Sequence, residues 1–212
     1  MESRTPFTTI LFDIGGVVLK QSDNSEAIRQ HLGLNDEVFR AIWPDAVKQF
    51  GSGLMTQDEF WQYFADNGAR MVDSSEDLFG TTLEQHLELY PSMINYIKKI
   101  GKYGYRCAVL SDTNEAHANI LRQHHVYEPF NDQVFLSHEI GIRKPAAEAF
   151  TYALQHLDIT DPSTVLFVDD RRRNTLAADV LGLQTLHIPG TETENLTLLQ
   201  EVVAHNKLPA NN

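Results

Sequence analysis

Asp13, Asp112, Asp169 and Asp170 each follow a run of strand-forming residues, and Lys144 lies in the loop Gly141-Ile142-Arg143-Lys144-Pro145. Asp13 stands in Phe12-Asp13-Ile14-Gly15-Gly16-Val17-Val18, where the glycines let bare backbone N–H groups approach a ligand closely. A carboxylate in that setting suits a nucleophile facing an anion. The same stretch also suits a strand that ends in an Asx-turn, with Asp13 capping its own backbone. Carboxylates gathered without a counter-ion repel and raise one another's pKa. Lys144 and a bound divalent cation would resolve that cost. Oxygen ligands in small number, completed by water and substrate phosphate, suggest Mg2+.

Gathering these side chains requires several strands to end on one side of a sheet. Phe7 to Phe12 is rich in β-branched and aromatic residues and reads as a buried strand that ends at Asp13. Tyr105–Leu110, Gln133–Ser137, Thr164–Val168 and Gln184–Ile188 read as four more, the first of them ending at Ser111-Asp112 and the third at Asp169-Asp170. Helical patterns alternate with them: a face of Met93, Ile94, Ile97 and Ile100 stopped by Gly101 and Gly104, a helix from Asn114 to about His124, and one begun by Pro145. Two more follow, one with Leu176, Ala177, Val180 and Leu181 as its apolar face and one over Thr193–Ala204, before a frayed tail from Asn206. This alternation predicts an α/β fold, a doubly wound parallel sheet with helices on both faces. Ligands of such sheets bind beyond the carboxyl ends of the strands, so the acidic ends should meet in one cleft.

Residues 19–89 contain no convincing strand and read as a helical subdomain inserted after the first strand, with 1–18 and 90–212 forming the core. Ser22 to Ser25 offer caps, Asn35 caps a second helix that Pro44 bends or ends, Thr56 to Glu59 form a capping box, and Ser75 opens a further helix. Trp43, Phe50, Trp61 and Phe64 read as the subdomain's own core in preference to a substrate lining.

The chain has 212 residues, 42% hydrophobic and 22% charged, which fits a globular protein and argues against disorder. Its net charge of −12 disfavours nucleic acid and anionic membrane as partners. Arg143, Lys144, Arg171, Arg172 and Arg173 fall in two short stretches whose convergence would make a local positive site, although the arginine run reads first as a solvated helix start. Cys107 is the single cysteine and reads as a buried hydrophobe in a reducing compartment. No apolar run is long enough for a bilayer span, and Met1 to Pro6 lack the blocks of a signal peptide, so a cytoplasmic location is expected. The nine histidines lack metal-ligand spacing. Asn195-Leu196-Thr197 matches a glycosylation acceptor that such a location leaves unused. Monomer and weak dimer both remain open.

Taken in order, Phe12-Asp13-Ile14-Gly15-Gly16-Val17, Val109-Leu110-Ser111-Asp112-Thr113-Asn114, Arg143-Lys144-Pro145 and Phe167-Val168-Asp169-Asp170 with Asn174 resemble the four motifs of the haloacid dehalogenase superfamily of phosphatases. The resemblance covers nearly the whole chain, and the helical insertion resembles that family's first type of cap. It implies a two-step phosphoryl transfer from a small phosphorylated metabolite, with a sugar phosphate the preferred class. Asp13 would form an aspartyl-phosphate. Its carboxylate, the Gly15 carbonyl and Asp170 would bind Mg2+, and Asp169 would hold a metal-bound water or Lys144. The Ser111 hydroxyl and the backbone N–H groups about Ile14, Gly15 and Asp112 would grip phosphate oxygens that Lys144 neutralises. The Asp169-Asp170 pair argues against the family's dehalogenase branch. Gly15 departs from the pattern, because most family phosphatases carry an aspartate general acid and base there. That departure disfavours a mutase and admits a rival reading, a phosphate-binding protein weakened in turnover.

Overall fold

The computed structural model describes residues 5–21, 23–70, 72 and 78–206. Strands β1 (Thr9–Phe12), β2 (Arg106–Ser111), β3 (Val134–Leu136), β4 (Val165–Asp169) and β5 (Gln184–His187) form one parallel sheet in the order β3-β2-β1-β4-β5. β1 pairs with β2 on one side and β4 on the other, Phe12 lying opposite Val109 and Val168. The three strands that end in acidic residues are therefore neighbours. The strand order reverses at β1, which is where doubly wound sheets open a ligand crevice.

Side chains alternate across the sheet with the strand's period of two. Ile10, Phe12, Val109 and Val168 pack on one face against α5 (Pro91–Lys102), α6 (Glu115–Gln123) and α10 (Glu192–His205). Leu11, Ala108, Leu110 and Phe167 pack on the other against α8 (Ala147–His156) and α9 (Arg172–Val180). A short helix, α7 (Ser137–Ile140), follows β3 directly.

Among the described residues, four helices intervene between β1 and α5: α1 (Ser25–Leu32), α2 (Asp36–Phe50), α3 (Gln57–Asp66) and α4 (Leu78–His86). Ile28, Phe39, Phe50, Phe60, Phe64 and Phe79 build a separate apolar cluster there, closed against the core by Ala116 of α6. Its rings meet tightly; Phe60 lies 4.9 to 5.1 Å from Phe50, Trp61, Phe64 and Phe79. Asn35 caps α2 through Val38 N, and Thr56 with Glu59 forms the capping box of α3. Ser22 and Ser75 lie outside the described residues, as do 207–212. Asn24 occupies the cap position of α1 without a side-chain bond.

Several boundaries differ from the sequence expectations. Pro44 lies inside α2 without ending it; the residue is exposed, so water can satisfy the carbonyl left without its N–H. α5 runs through Gly101 to Lys102, and Gly104 (φ 96°) makes the reversal. β3 stops at Leu136, one residue before the expected end. α8 begins at Ala147 instead of Pro145, because residues 143–146 form a turn closed by Ala146 N donating to Arg143 O (3.1 Å) and Ala146 itself is extended (ψ 133°). The buried face of α9 is Asn174, Thr175 and Ala178, while Leu176 and Val180 are exposed; the helix turns its polar side toward the carboxylates at the end of β4. Asn206 is pinned, accepting from Phe7 N (3.0 Å) and donating to Phe7 O (2.8 Å).

Candidate active site

The chain leaves β1 at Phe12, and Asp13 N donates to Val168 O (2.9 Å), so the first carboxylate sits on the rim of the sheet. Asp13 Oδ1 accepts from Ile14 N (2.7 Å) and lies 3.0 Å from Lys144 Nζ. This is not the Asx-turn of the sequence reading, which would bond the N–H two residues on; Asp13 Oδ1 bonds the next residue and is shared with an ammonium. Lys144 Nζ also donates to Asp169 Oδ2 (2.8 Å). Asp169, fully buried at the end of β4, accepts further from Asn174 Nδ2 (3.0 and 3.1 Å) and Arg171 N (2.7 Å). Oxygens of Asp13, Asp169 and Asp170 lie within 4.8 Å of one another.

Burial sets the electrostatics. It lifts the Asp13 carboxyl from 3.8 to about 6; Lys144 opposes that rise and Asp169 adds to it. Burial and then Asp169 also raise Asp170. For Lys144 burial works against the charge, but Asp13, Asp169 and Asp112 outweigh it and keep the ammonium above its ordinary pKa.

Asp170 Oδ1 is buried without a hydrogen-bond partner. A carboxylate with an orphaned oxygen, in a set of three carboxylates that bring oxygens within 4.8 Å of one another, is the chemistry of a hard divalent cation. The donor set fits Mg2+. Gly16 is needed beside it: its φ is +72°, and a Cβ there would come within 2.5 Å of Asp170 Oδ2. Gly15 is under no such constraint, since a Cβ there would meet only the Gln21 carboxamide at 3.7 Å.

Ser111 is buried at the end of β2 and lines, with Ile14 and Gly15, a cavity of about 190 Å3. A second cavity of about 190 Å3 lies toward the helical insertion and is lined by Trp43, Val47, Phe79 and Arg143. Asn24, Asp112, Thr113 and His117 border both. Trp43, expected in the subdomain core, stacks on Phe39 (4.7 Å) and also lines this second cavity. The Asp112 carboxylate turns away from the cluster, binding Lys144 N and lying 3.6 Å from Arg143 Nε. The two basic stretches converge only in part. Lys144 alone enters the carboxylate cluster, and Arg172 and Arg173 are exposed.

The family model of haloacid dehalogenase-like hydrolases matches residues 7–182. The chain belongs to this family. Among relatives of these hydrolases, it is 28% identical over 193 residues to the D-ribitol-5-phosphate phosphatase of Bacteroides thetaiotaomicron, covering 83% of this chain and 89% of that protein. It is 24% identical over 200 residues to a sesquiterpene phosphatase of Aspergillus oryzae, covering 93% and 96%. Similar folds include a haloacid dehalogenase-like hydrolase of Porphyromonas gingivalis, with a TM-score of 0.77 at 20% identity over 96% of this chain and all of that one. A family enzyme of Bacteroides thetaiotaomicron in complex with magnesium and inorganic phosphate has a TM-score of 0.69 at 23% identity, covering 85% and 93%. Family and relatives together mark the chain as a phosphatase.

Three residues about the site of this hydrolase had no signal in sequence. Ser137 Oγ donates to Gly51 O (2.5 Å) and accepts from Thr113 N (3.0 Å), joining the helical insertion to the β2–α6 loop. Asn195, the supposed glycosylation acceptor, is fully buried and donates to Gly16 O (3.3 Å). Gln21 reaches Asp170, as described below. All three act through contacts distant in the chain, and no local pattern marks them. Among the described residues no helix is long and apolar enough to cross a membrane.

Proposed function

We propose that this hydrolase is a Mg2+-dependent phosphatase of small phosphorylated metabolites, acting through an aspartyl-phosphate on Asp13. The observation that carries the reading is Lys144 Nζ bridging Asp13 and Asp169 beside the orphaned Asp170 Oδ1. Asp13, Asp170 and the Gly15 carbonyl would hold Mg2+, with Asp169 close by. When bound, the ion offsets negative charge on the transferring phosphoryl group. Asp13 forms a bond to phosphorus as the ester O–P bond breaks; water then attacks phosphorus and frees phosphate and the carboxylate. Ser111 and the N–H groups about Gly15 and Asp112 grip the phosphate oxygens, Ile14 N joining them only by leaving Asp13 Oδ1, and Lys144 neutralises nucleophile and phosphate together, which is mostly positioning and charge stabilisation. Gly15 has no proton to give, so substrates whose leaving oxygen needs little protonation are favoured.

In this reading residues 19–89 are a cap over the cleft, and the two adjoining cavities receive the leaving group. Asp23, Asn24 and Thr113 on their walls suit the hydroxyls of a sugar or polyol phosphate, and the ribitol-phosphate phosphatase is a relative. A second reading rests on the other wall residues. Leu19, Leu83 and Leu121 in one cavity and Ile28, Trp43 and Phe79 in the other would receive an apolar chain, and a sesquiterpene phosphatase is also a relative.

The test is phosphate release from sugar, polyol and prenyl phosphates, with and without Mg2+. Turnover should require Mg2+ and vanish in folded Asp13→Asn. Turnover that survives chelation removes the metal reading, and turnover by Asp13→Asn removes the nucleophile. Binding of phosphate esters without release from any of them would favour the non-catalytic alternative.

A further inference from the structure

Gln21 is the first residue after the loop that leaves the nucleophile strand, and its backbone is placed by its neighbours. Gly16 N donates to Leu19 O (2.8 Å) and Lys20 N to Glu88 O (2.8 Å), tying the loop into a bridge between the two ends of the helical insertion. The side chain then turns back over Gly15. Its carboxamide lies between the Asp170 carboxylate and the Arg171 guanidinium. A carboxylate only accepts and a guanidinium only donates, so the orientation of the amide is decided. Its nitrogen donates to Asp170 Oδ2 (3.0 Å) and its oxygen accepts from Arg171 Nη2.

The two oxygens of Asp170 are thereby divided. Oδ2 is engaged by Gln21 and packed against the Gly16 backbone, while Oδ1 is buried and unpartnered. The backbone of Asp170 is fixed as well, its carbonyl lying 2.9 Å from His187 Nε2. We propose that Gln21 is a positioning residue for the metal site, holding Asp170 so that Oδ1 is presented to the divalent cation. The inference rests on the reading of Asp170 as a ligand. Gly15 and Gln21 belong together in this account. The amide tip occupies the room beside position 15, 3.7 Å from where a Cβ would stand, so a carboxylate at that position would meet the group that orients the metal ligand.

The test is Mg2+ titration of the metal-free protein by calorimetry, paired with the Mg2+-induced rise in Tm, for wild type, Gln21→Ala and Gln21→Met. Methionine keeps the length of the side chain without its hydrogen bonds. Gln21 is exposed, so both variants should fold with an unchanged metal-free Tm. Both should bind Mg2+ at least about tenfold more weakly, the scale for losing a group that orients a metal ligand, with a smaller Tm rise. A dissociation constant within about twofold of wild type in Gln21→Met overturns the inference while leaving the metal site intact. A lowered metal-free Tm with unchanged Mg2+ affinity overturns it too, making Gln21 structural. If wild type itself does not bind Mg2+, the metal reading falls and the inference with it.

Discussion

Lys144 is the residue on which the acidic cluster depends. It is 3% exposed and stands between carboxylates that would otherwise repel, and removing one partner of such a buried set leaves a charge that costs about 3–5 kcal/mol. Its presence does not bring the Asp13 carboxyl back to an ordinary value, because burial outweighs the ammonium and leaves it near 6. The consequence for stability has a definite sign. Between its ordinary 3.8 and about 6, native Asp13 holds a proton that the unfolded chain has released. This contribution is complete below the unfolded pKa and is lost as pH rises through about 6; Asp170 is raised in the same direction. A bound cation favours the ionised forms and removes the loss. The stabilisation by Mg2+, taken as Tm with metal minus Tm without, should therefore grow as pH rises and level off above the Asp13 pKa. Glu26, Glu59 and Glu194 shift downward through exposed side-chain and capping bonds and cancel in that difference. A difference that is flat across the range would show that Asp13 does not titrate there.

At the scale of elements, the carboxyl end of α2 is the joint between insertion and core. Arg143 Nη1 donates to Val47 O (3.0 Å), and a cation at the end of a helix also suits its dipole. The same guanidinium lies 3.6 Å from Asp112 Oδ2, whose other oxygen accepts from Lys144 N (3.0 Å). Ser137 closes the joint through Gly51 O. One short run of contacts thus links the wall of the second cavity to the loop that carries Lys144. Arg143→Ala should raise KM about tenfold for an ester that fills the second cavity, the cost of losing one charge-assisted bond. Acetyl phosphate, too small to reach that wall, should change by no more than about threefold on the same scale. Equal losses for both substrates would show that Arg143 acts on the Lys144 loop alone.

For the whole molecule, the decisive quantity is the net charge of −12 against an anionic substrate. The arginine run does not form a cationic funnel, since Arg172 and Arg173 are exposed and Arg171 engages Gln21. Long-range steering should oppose encounter, while Lys144 and the cation act only at contact. Raising ionic strength at fixed free Mg2+ should then increase kcat/KM, by less than about tenfold between ~0.01 and ~0.15 M, where the Debye length falls from ~30 to ~8 Å. A steep decrease would reveal a positive field at the cleft.

How much of this was legible in the chain follows from how local each signal is. β1, β2 and β4 are buried runs that stop at charged residues, and burial along a strand is written in consecutive residues; so the parallel sheet and the convergence of Asp13, Asp169, Asp170 and Lys144 could be read directly. Capping at Asn35 and Thr56 was legible for the same reason, since a cap and its partner lie three residues apart. The apolar residues of α9 misled, because Leu176 and Val180 mark a face only if that face is buried, and the site claimed the polar side instead. Pro44 left a bend and an end both open, and only the end is excluded, because whether a helix tolerates the lost N–H depends on which side meets water. The tertiary structure alone decided that Asp112 braces a loop, that Asn195 holds the Gly16 turn, and that Gln21 lies over Gly15 against Asp170. Those contacts join residues brought together only when the sheet and the helical insertion close on each other, and no spacing in the chain encodes them.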